Sequence, residues 1–158
     1  MSLHAVSSRL VARSAAETES AGRRLGEVAA AGDVLLLDGP LGAGKTVLVR
    51  GIAAGLGWDG EVGSPTFVLV RQYPGRLELV HADLYRLEDR QEIDDLGLLD
   101  LSAGGVLAVE WADRAPWLAI DGTARLSLLP GGAEDERVLS MVGGEPRLHE
   151  ALGGALSP

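Results

Sequence analysis

The 158-residue chain is long enough for one domain with a substantial core, and 46% of it is hydrophobic. Its formal charge of −9 disfavours a surface that grips nucleic-acid backbones directly, and the lack of cysteine excludes disulfides and thiolate metal sites. No apolar run reaches the length of a membrane span, and the N-terminal stretch lacks a signal-peptide layout, so a soluble cytoplasmic protein is expected.

In chain order, residues 7–13 are predicted to form a short strand around Leu10, Val11 and Ala12. Thr18 is the expected N-cap of a helix with the apolar face Ala21, Leu25, Val28 and Ala29, which Gly32 is expected to stop. Val34-Leu35-Leu36-Leu37 is an unbroken apolar run of the kind a buried parallel strand shows. Gly39-Pro40-Leu41-Gly42-Ala43-Gly44-Lys45-Thr46 follows and matches G-x-x-x-x-G-K-[ST] without a gap. Gly42 and Gly44 can take positive φ, which lets backbone N–H groups curl around a phosphate chain. Lys45 brings a cation to the β- and γ-phosphates, and the Thr46 hydroxyl is the expected Mg²⁺ ligand.

Leu48, Ile52 and Leu56, spaced by four and flanked by Val49 and Ala53, continue as a helix that ends around Gly55 and Gly57. The positive end of its dipole faces the anion site. Thirteen of the fourteen basic residues are Arg, and Lys45 is the only lysine. A chain that otherwise uses Arg has a compact ammonium where a crowded phosphate suits it. Strand, glycine loop and helix in this order mark a nucleoside triphosphate site.

Gly63-Ser64-Pro65-Thr66-Phe67 comes next, and a hydroxyl there is a candidate γ-phosphate or Mg²⁺ contact of the kind GTPase switch loops make. Residues 67–82 are predicted as a β-hairpin about the Pro74-Gly75 turn. Asp83 is a candidate for holding a metal-bound or attacking water, against a plain loop acid paired with Arg86. His81 alternates with apolar residues and is expected to be packed. Residues 89–96 form a short acidic helix, and Asp94, Asp95 and Asp100 are expected on a solvated face. Val106-Leu107-Ala108-Val109 is a second buried strand, so Glu110 at its end is the expected metal-organising carboxylate. Trp111 is a base stacker or a core aromatic, and Arg114 a phosphate contact or a surface charge. Residues 125–129 and 137–142 are further strands joined at Gly131-Gly132, and the tail from 143 carries a short helix over 148–152 or frays. The absence of Asn removes the Asn-Lys-x-Asp pattern of Ras-like GTPases and favours ATP.

The expected fold is an α/β P-loop NTPase-like three-layer sandwich, with a mostly parallel central sheet and an antiparallel hairpin. One domain is expected across 1–158, with its core at about 9–142.

Taken together, the P-loop, Ser64-Pro65-Thr66-Phe67, His81-Ala82-Asp83-Leu84-Tyr85-Arg86 and Val109-Glu110-Trp111 resemble the bacterial TsaE (YjeE) family in order and spacing. That resemblance implies a small P-loop ATPase needed for threonylcarbamoyladenosine in tRNA, weak alone and acting with the TsaB and TsaD subunits. It implies ATP and Mg²⁺ as cofactors, Thr46 and Glu110 as metal residues, and Asp83 and Glu110 as catalytic. The cofactor-contacting set it implies is Gly39, Leu41, Gly42, Ala43, Gly44, Lys45, Thr46, Val47, Thr66 and Trp111. Ala112 stands where the family usually has Pro, and Val47 where a second Thr is common. Two other readings stay open: a small-molecule kinase with Asp83 as base, and an adaptor that uses ATP binding alone.

Overall fold

The computed structural model describes residues 6–40, 42–63, 69–119, 122–153 and 155–157. Among the described residues eight strands form one sheet: β1 (Ser7–Ala12), β2 (Val34–Asp38), β3 (Val70–Tyr73), β4 (Leu79–Asp83), β5 (Val106–Glu110), β6 (Ala124–Pro130), β7 (Arg137–Gly143) and β8 (Ala155–Ser157). Their order across the sheet is β3-β4-β5-β2-β6-β7-β1-β8. The four central strands β4, β5, β2 and β6 run parallel. Strand β3 flanks them antiparallel on one side, and the antiparallel β7, β1 and β8 extend the other. The predicted hairpin is the β3–β4 pair.

Continuous apolar runs at β2 and β5 follow from burial on both faces of a sheet. Leu35, Leu37 and Ala108 pack in one core layer under α1 (Ala15–Val28), α2 (Lys45–Gly55) and α5 (Pro146–Leu152). Val34, Leu36, Leu107 and Val109 pack in a second layer with α3 (Arg90–Asp94), α4 (Leu98–Leu101) and two 3₁₀ turns, Ala112–Arg114 and Pro116–Leu118. Helix, sheet and helix make the three layers. Asp94, Asp95 and Asp100 lie on an exposed face. Among the described residues no helix is long and apolar enough to cross a membrane.

Helix α1 starts one turn earlier than expected. Ser14, not Thr18, is its N-cap: its hydroxyl accepts from Glu17 N at 3.2 Å, and the Glu17 carboxylate accepts from Arg13 N at 2.5 Å. This reciprocal exchange satisfies donors at the helix start, whereas Thr18 sits inside the helix at 1% exposure. The helix also ends at Val28, before Gly32, because the Asp33 carboxylate accepts from Ala30 N at 2.8 Å and closes a turn there. Val28 is exposed, so the buried face is Thr18, Ala21, Gly22, Leu25 and Gly26.

Helices α1 and α2 cross with their backbones in contact. A Cβ placed on Gly22 would sit 2.2 Å from Leu48 O, and one on Gly26 2.2 Å from Ile52 O. From the other side, a Cβ on Gly51 would meet Glu19 O at 2.0 Å, and one on Gly55 would meet Arg23 O at 2.2 Å. The spacing of four on each helix puts both glycines on one face.

The tail is docked. Arg147 donates to both Asp33 carboxylate oxygens, at 2.9 and 2.7 Å. That hydrogen bonding raises the guanidinium pKa against the opposing effect of partial burial. Ser8 Oγ donates to His149 Nδ1 at 2.7 Å, while His149 Nε2 donates to Gly143 O at 2.7 Å. Arg24 holds the C-terminal carbonyls Ala151 O and Leu152 O of α5, each at 2.8 Å. Replacing Arg147 by Ala strands a carboxylate that is 6% exposed, though Ala30 N still serves it. With the guanidinium about one-third exposed, the expected loss is about 1–2 kcal/mol, read as a lower urea midpoint at unchanged slope.

Candidate active site

The site begins where β2 ends. Gly42 (φ 80°) and Gly44 (φ 98°) take the left-handed conformation, and α2 starts at the next residue, Lys45. The loop is braced from behind by Arg137 of β7. Its Nε donates to Ala43 O at 3.0 Å and Nη2 to Gly42 O at 3.3 Å, while Nη1 binds Glu134 O and Glu136 O. Occupying these carbonyls from outside fixes the loop's curl independently of any ligand. No local pattern in the sequence marks Arg137 as a brace, because the loop carbonyls it binds lie more than ninety residues away.

Lys45 is 5% exposed, and its ammonium donates to Gly39 O at 2.6 Å. The same ammonium lies 4.1 Å from the centroid of the Trp111 ring, within cation–π range. Trp111 follows the last residue of β5 with φ 58°, a left-handed conformation that costs a side-chain-bearing residue about 1–3 kcal/mol. The turn it opens, Ala112–Arg114, aims the indole back over the loop. Tyr85 packs against that indole at 4.9 Å between centroids. Trp111 is thus partly buried, packed against the second core layer while its ring meets the Lys45 ammonium.

Asp83 and Glu110 are register partners on the parallel pair β4–β5, and Glu110 also pairs with Leu37 of β2. Both carboxylates therefore stand at the carboxyl edge of the central strands, where open α/β sheets bind ligands. Each is 4% exposed. Asp83 Oδ1 accepts from Tyr85 N at 2.9 Å. Glu110 Oε2 accepts from His81 Nε2 at 2.5 Å, and His81 is fully buried with no partner for Nδ1 among the described residues. His81 is packed, as expected, but it also orients Glu110. Its place two residues before Asp83 on one strand was the available signal, since such residues share a sheet face.

Gly42, Ala43, Gly44, Lys45, Thr46, Val47, Asp83, Tyr85, Glu110 and Trp111 line one cavity of about 360 Å³. The structure brings together every expected site residue it describes, with Gly39 contributing through its carbonyl. Leu41, Thr66 and the rest of 64–68 lie outside the described residues. Arg114 is turned elsewhere, donating to Leu87 O at 2.9 Å.

The donor set suits Mg²⁺ held jointly with phosphate: a hydroxyl at Thr46 and two carboxylates, all hard oxygens. Among the described residues no cluster of three or more acidic or imidazole side chains could hold a metal by itself. Mg²⁺ keeps several waters and is bound through one or two carboxylates together with phosphate, so that sparseness fits the ion. A cationic, N–H-rich loop facing two buried carboxylates is chemically equipped to bind a polyphosphate and polarise its far end.

A family model described as "Threonylcarbamoyl adenosine biosynthesis protein TsaE" matches residues 12–138. The chain is similar to the protein named tRNA threonylcarbamoyladenosine biosynthesis protein TsaE of Treponema pallidum, at 41% identity over 76% of this chain and 90% of that one. It is 47% identical to the Mycobacterium bovis protein of the same name, over 61% of this chain and 64% of that one. The Bacillus subtilis protein of that name is 48% identical over 61% of each. The match thus spans just under two thirds of these two curated relatives. A crystal structure of Bacillus subtilis YdiB superposes with a TM-score of 0.74 at 29% identity, covering 96% of this chain and 97% of that one.

Proposed function

The chain belongs to the TsaE family of tRNA threonylcarbamoyladenosine biosynthesis proteins, and from that we propose that it is a cytoplasmic, Mg²⁺-dependent ATPase that works on a TsaB–TsaD transferase. One observation carries the reading: the P-loop and the Asp83–Glu110 pair face each other across one cavity. Lys45 balances the charge of the β- and γ-phosphates, leaving its Gly39 and Trp111 contacts to do so. Thr46 and Glu110 would hold Mg²⁺, which would neutralise charge on the phosphates. Asp83, fixed by the Tyr85 N–H, orients the attacking water. His81 holds one oxygen of Glu110 and leaves the other for the cavity. The net charge of −9 favours protein partners over direct contact with tRNA.

The test is nucleotide-induced stabilisation. At Mg·ADP about a hundredfold above its dissociation constant, the fold should gain about 2.7 kcal/mol, seen as a raised melting temperature. Lys45→Ala should lose most of that gain, and an undiminished shift in this variant would remove the P-loop assignment. The pathway role is read separately, as loss of threonylcarbamoyladenosine from tRNA nucleosides when the protein is depleted.

A further inference from the structure

Among the described residues, only part of the sheet is buried on both faces. The second core layer draws strand residues from β2, β4 and β5, such as Leu36, Val80 and Val109, and none from β6, β7 or β1. Leu36 registers with Arg125 of β6, so the outward positions of β6, β7 and β1 lie on the side where α3 and α4 pack over the other strands. Their inward positions, Leu126, Leu128, Leu139 and Met141 among them, belong to the first layer.

Directly opposed residues of an antiparallel pair point to one side of the sheet, which sorts this outward face into three rows. Leu129, Val138 and Val11 form an aliphatic row, with Leu129 52% and Val11 39% exposed. Ser127, Ser140 and Arg9 form the middle row, with Arg9 exposed. Arg125, Val142 and Ser7 form the third, with Val142 49% exposed. An antiparallel sheet can leave one face to water, but that face then carries polar residues. Here four of the nine outward positions are Leu or Val, and three of the six large hydrophobics exposed among the described residues are in these rows. None of the nine is acidic and two are Arg, in a chain with 23 acidic and 14 basic residues.

We infer that this face receives an acidic amphipathic helix of the protein partner, with the helix's apolar side on the Leu129 row and its carboxylates beside Arg9. The inference rests on the partner reading above and adds the surface by which the transferase holds this chain. Three strands about 4.8 Å apart present a face about 10 Å wide, the width of one helix. Arg125 is already bonded to Asp38 at 3.0 Å, which leaves Arg9 to select for acid. A second copy laid face to face about a twofold axis would set this Arg-bearing surface against itself, which like charge disfavours. A nucleic-acid strand would find no ring among the nine residues on which a base could stack. None of the nine lines the phosphate cavity, so a helix seated here does not fill it.

Photo-cross-linking reads the contact directly. With p-benzoylphenylalanine in place of Ser140, at the middle of the face, the full chain is irradiated with TsaB–TsaD, tRNA and Mg·ATP. The expected product joins it to a helical TsaB or TsaD peptide that carries Asp or Glu beside Leu or Val. Cross-links only to a second copy, to tRNA or to this chain's own residues, or none at all, would overturn the inference. In a second arm, Arg9→Glu and Leu129→Glu should each weaken TsaB–TsaD binding about tenfold or more, whereas Arg9→Lys stays within about threefold of wild type. Mg·ADP should raise the melting temperature of all three variants as it does that of wild type, which separates docking from folding and nucleotide binding. Unchanged affinity in both Glu variants, or the same loss in Arg9→Lys as in Arg9→Glu, would overturn the inference. A wild-type chain that binds no TsaB–TsaD would instead sink the partner reading and this inference with it, so the two failures are distinguishable.

Discussion

Glu110→Gln is expected to slow partner-stimulated ATP hydrolysis about a hundredfold while leaving Mg·ATP affinity within a few-fold of wild type. The substitution preserves side-chain length and keeps an oxygen that can accept from His81 Nε2, now at 2.5 Å. What it removes is charge facing the cavity. Charge that organises a metal's water shell acts mainly as the transition state forms, and about 2.7 kcal/mol of lost stabilisation gives the hundredfold. Asp83→Asn tests the second carboxylate in the same way, since Asn can still accept from Tyr85 N. The assay needs the TsaB and TsaD partners present. Wild-type turnover in Glu110→Gln would rule out its metal role. Normal multiple-turnover tRNA modification by an Asp83→Asn protein without ATPase activity would favour the adaptor reading, in which binding alone sets partner affinity.

Gly51→Ala is expected to destabilise the fold by about 3 kcal/mol, against the sign that helix propensity predicts. In an isolated helix the change would stabilise by about 1 kcal/mol. Here the new Cβ would stand 2.0 Å from Glu19 O, and that atom is backbone, which cannot rotate away. The helices must separate, opening voids around Ala21, Leu25, Leu48 and Ile52 in the first core layer. A denaturant midpoint measured with and without nucleotide checks this. A variant as stable as wild type or more so would show that α1 and α2 do not cross at backbone contact. The same change at Gly32, where nothing lies within 4 Å, tests φ alone and provides the contrast.

The parts of the molecule that were readable in the sequence are those whose cause is local. Residues 34–37 and 106–109 announced themselves because a strand buried on both faces has no polar positions. The P-loop did so because its glycines, Lys45 and Thr46 each have a job at fixed spacing. Glu110 followed from where the second of those strands stops, whereas Asp83, just past the strand at 77–81, stood level with a plain loop acid paired with Arg86. Contacts between distant segments were not readable: Arg137 on the loop carbonyls, or Gly22 and Gly26 against Gly51 and Gly55. A glycine in a helix pattern looks like a weakness until the opposing backbone is known. Helix α4, β8 and the two 3₁₀ turns are too short to show a period. The α1 cap was legible and misread, since Ser14-Ala15-Ala16-Glu17 is a capping-box pattern and Thr18 lacks a matching acid at Ala21.

The position of β1 has a consequence for how the protein is made. Residues 7–12 are translated early, but their sheet partners are residues 137–143 and 155–157. On the ribosome β1 must wait, an unpaired strand, until residues 137–143 have emerged. The same delay governs Arg137, so a nascent chain that has already synthesised its P-loop still lacks the bonds that hold Gly42 and Ala43 in shape. Pairings this far apart in sequence carry a large closure entropy and form late. Nucleotide therefore meets a finished cradle only once Arg137 has joined the fold, and the unpaired early strand is exposed until then.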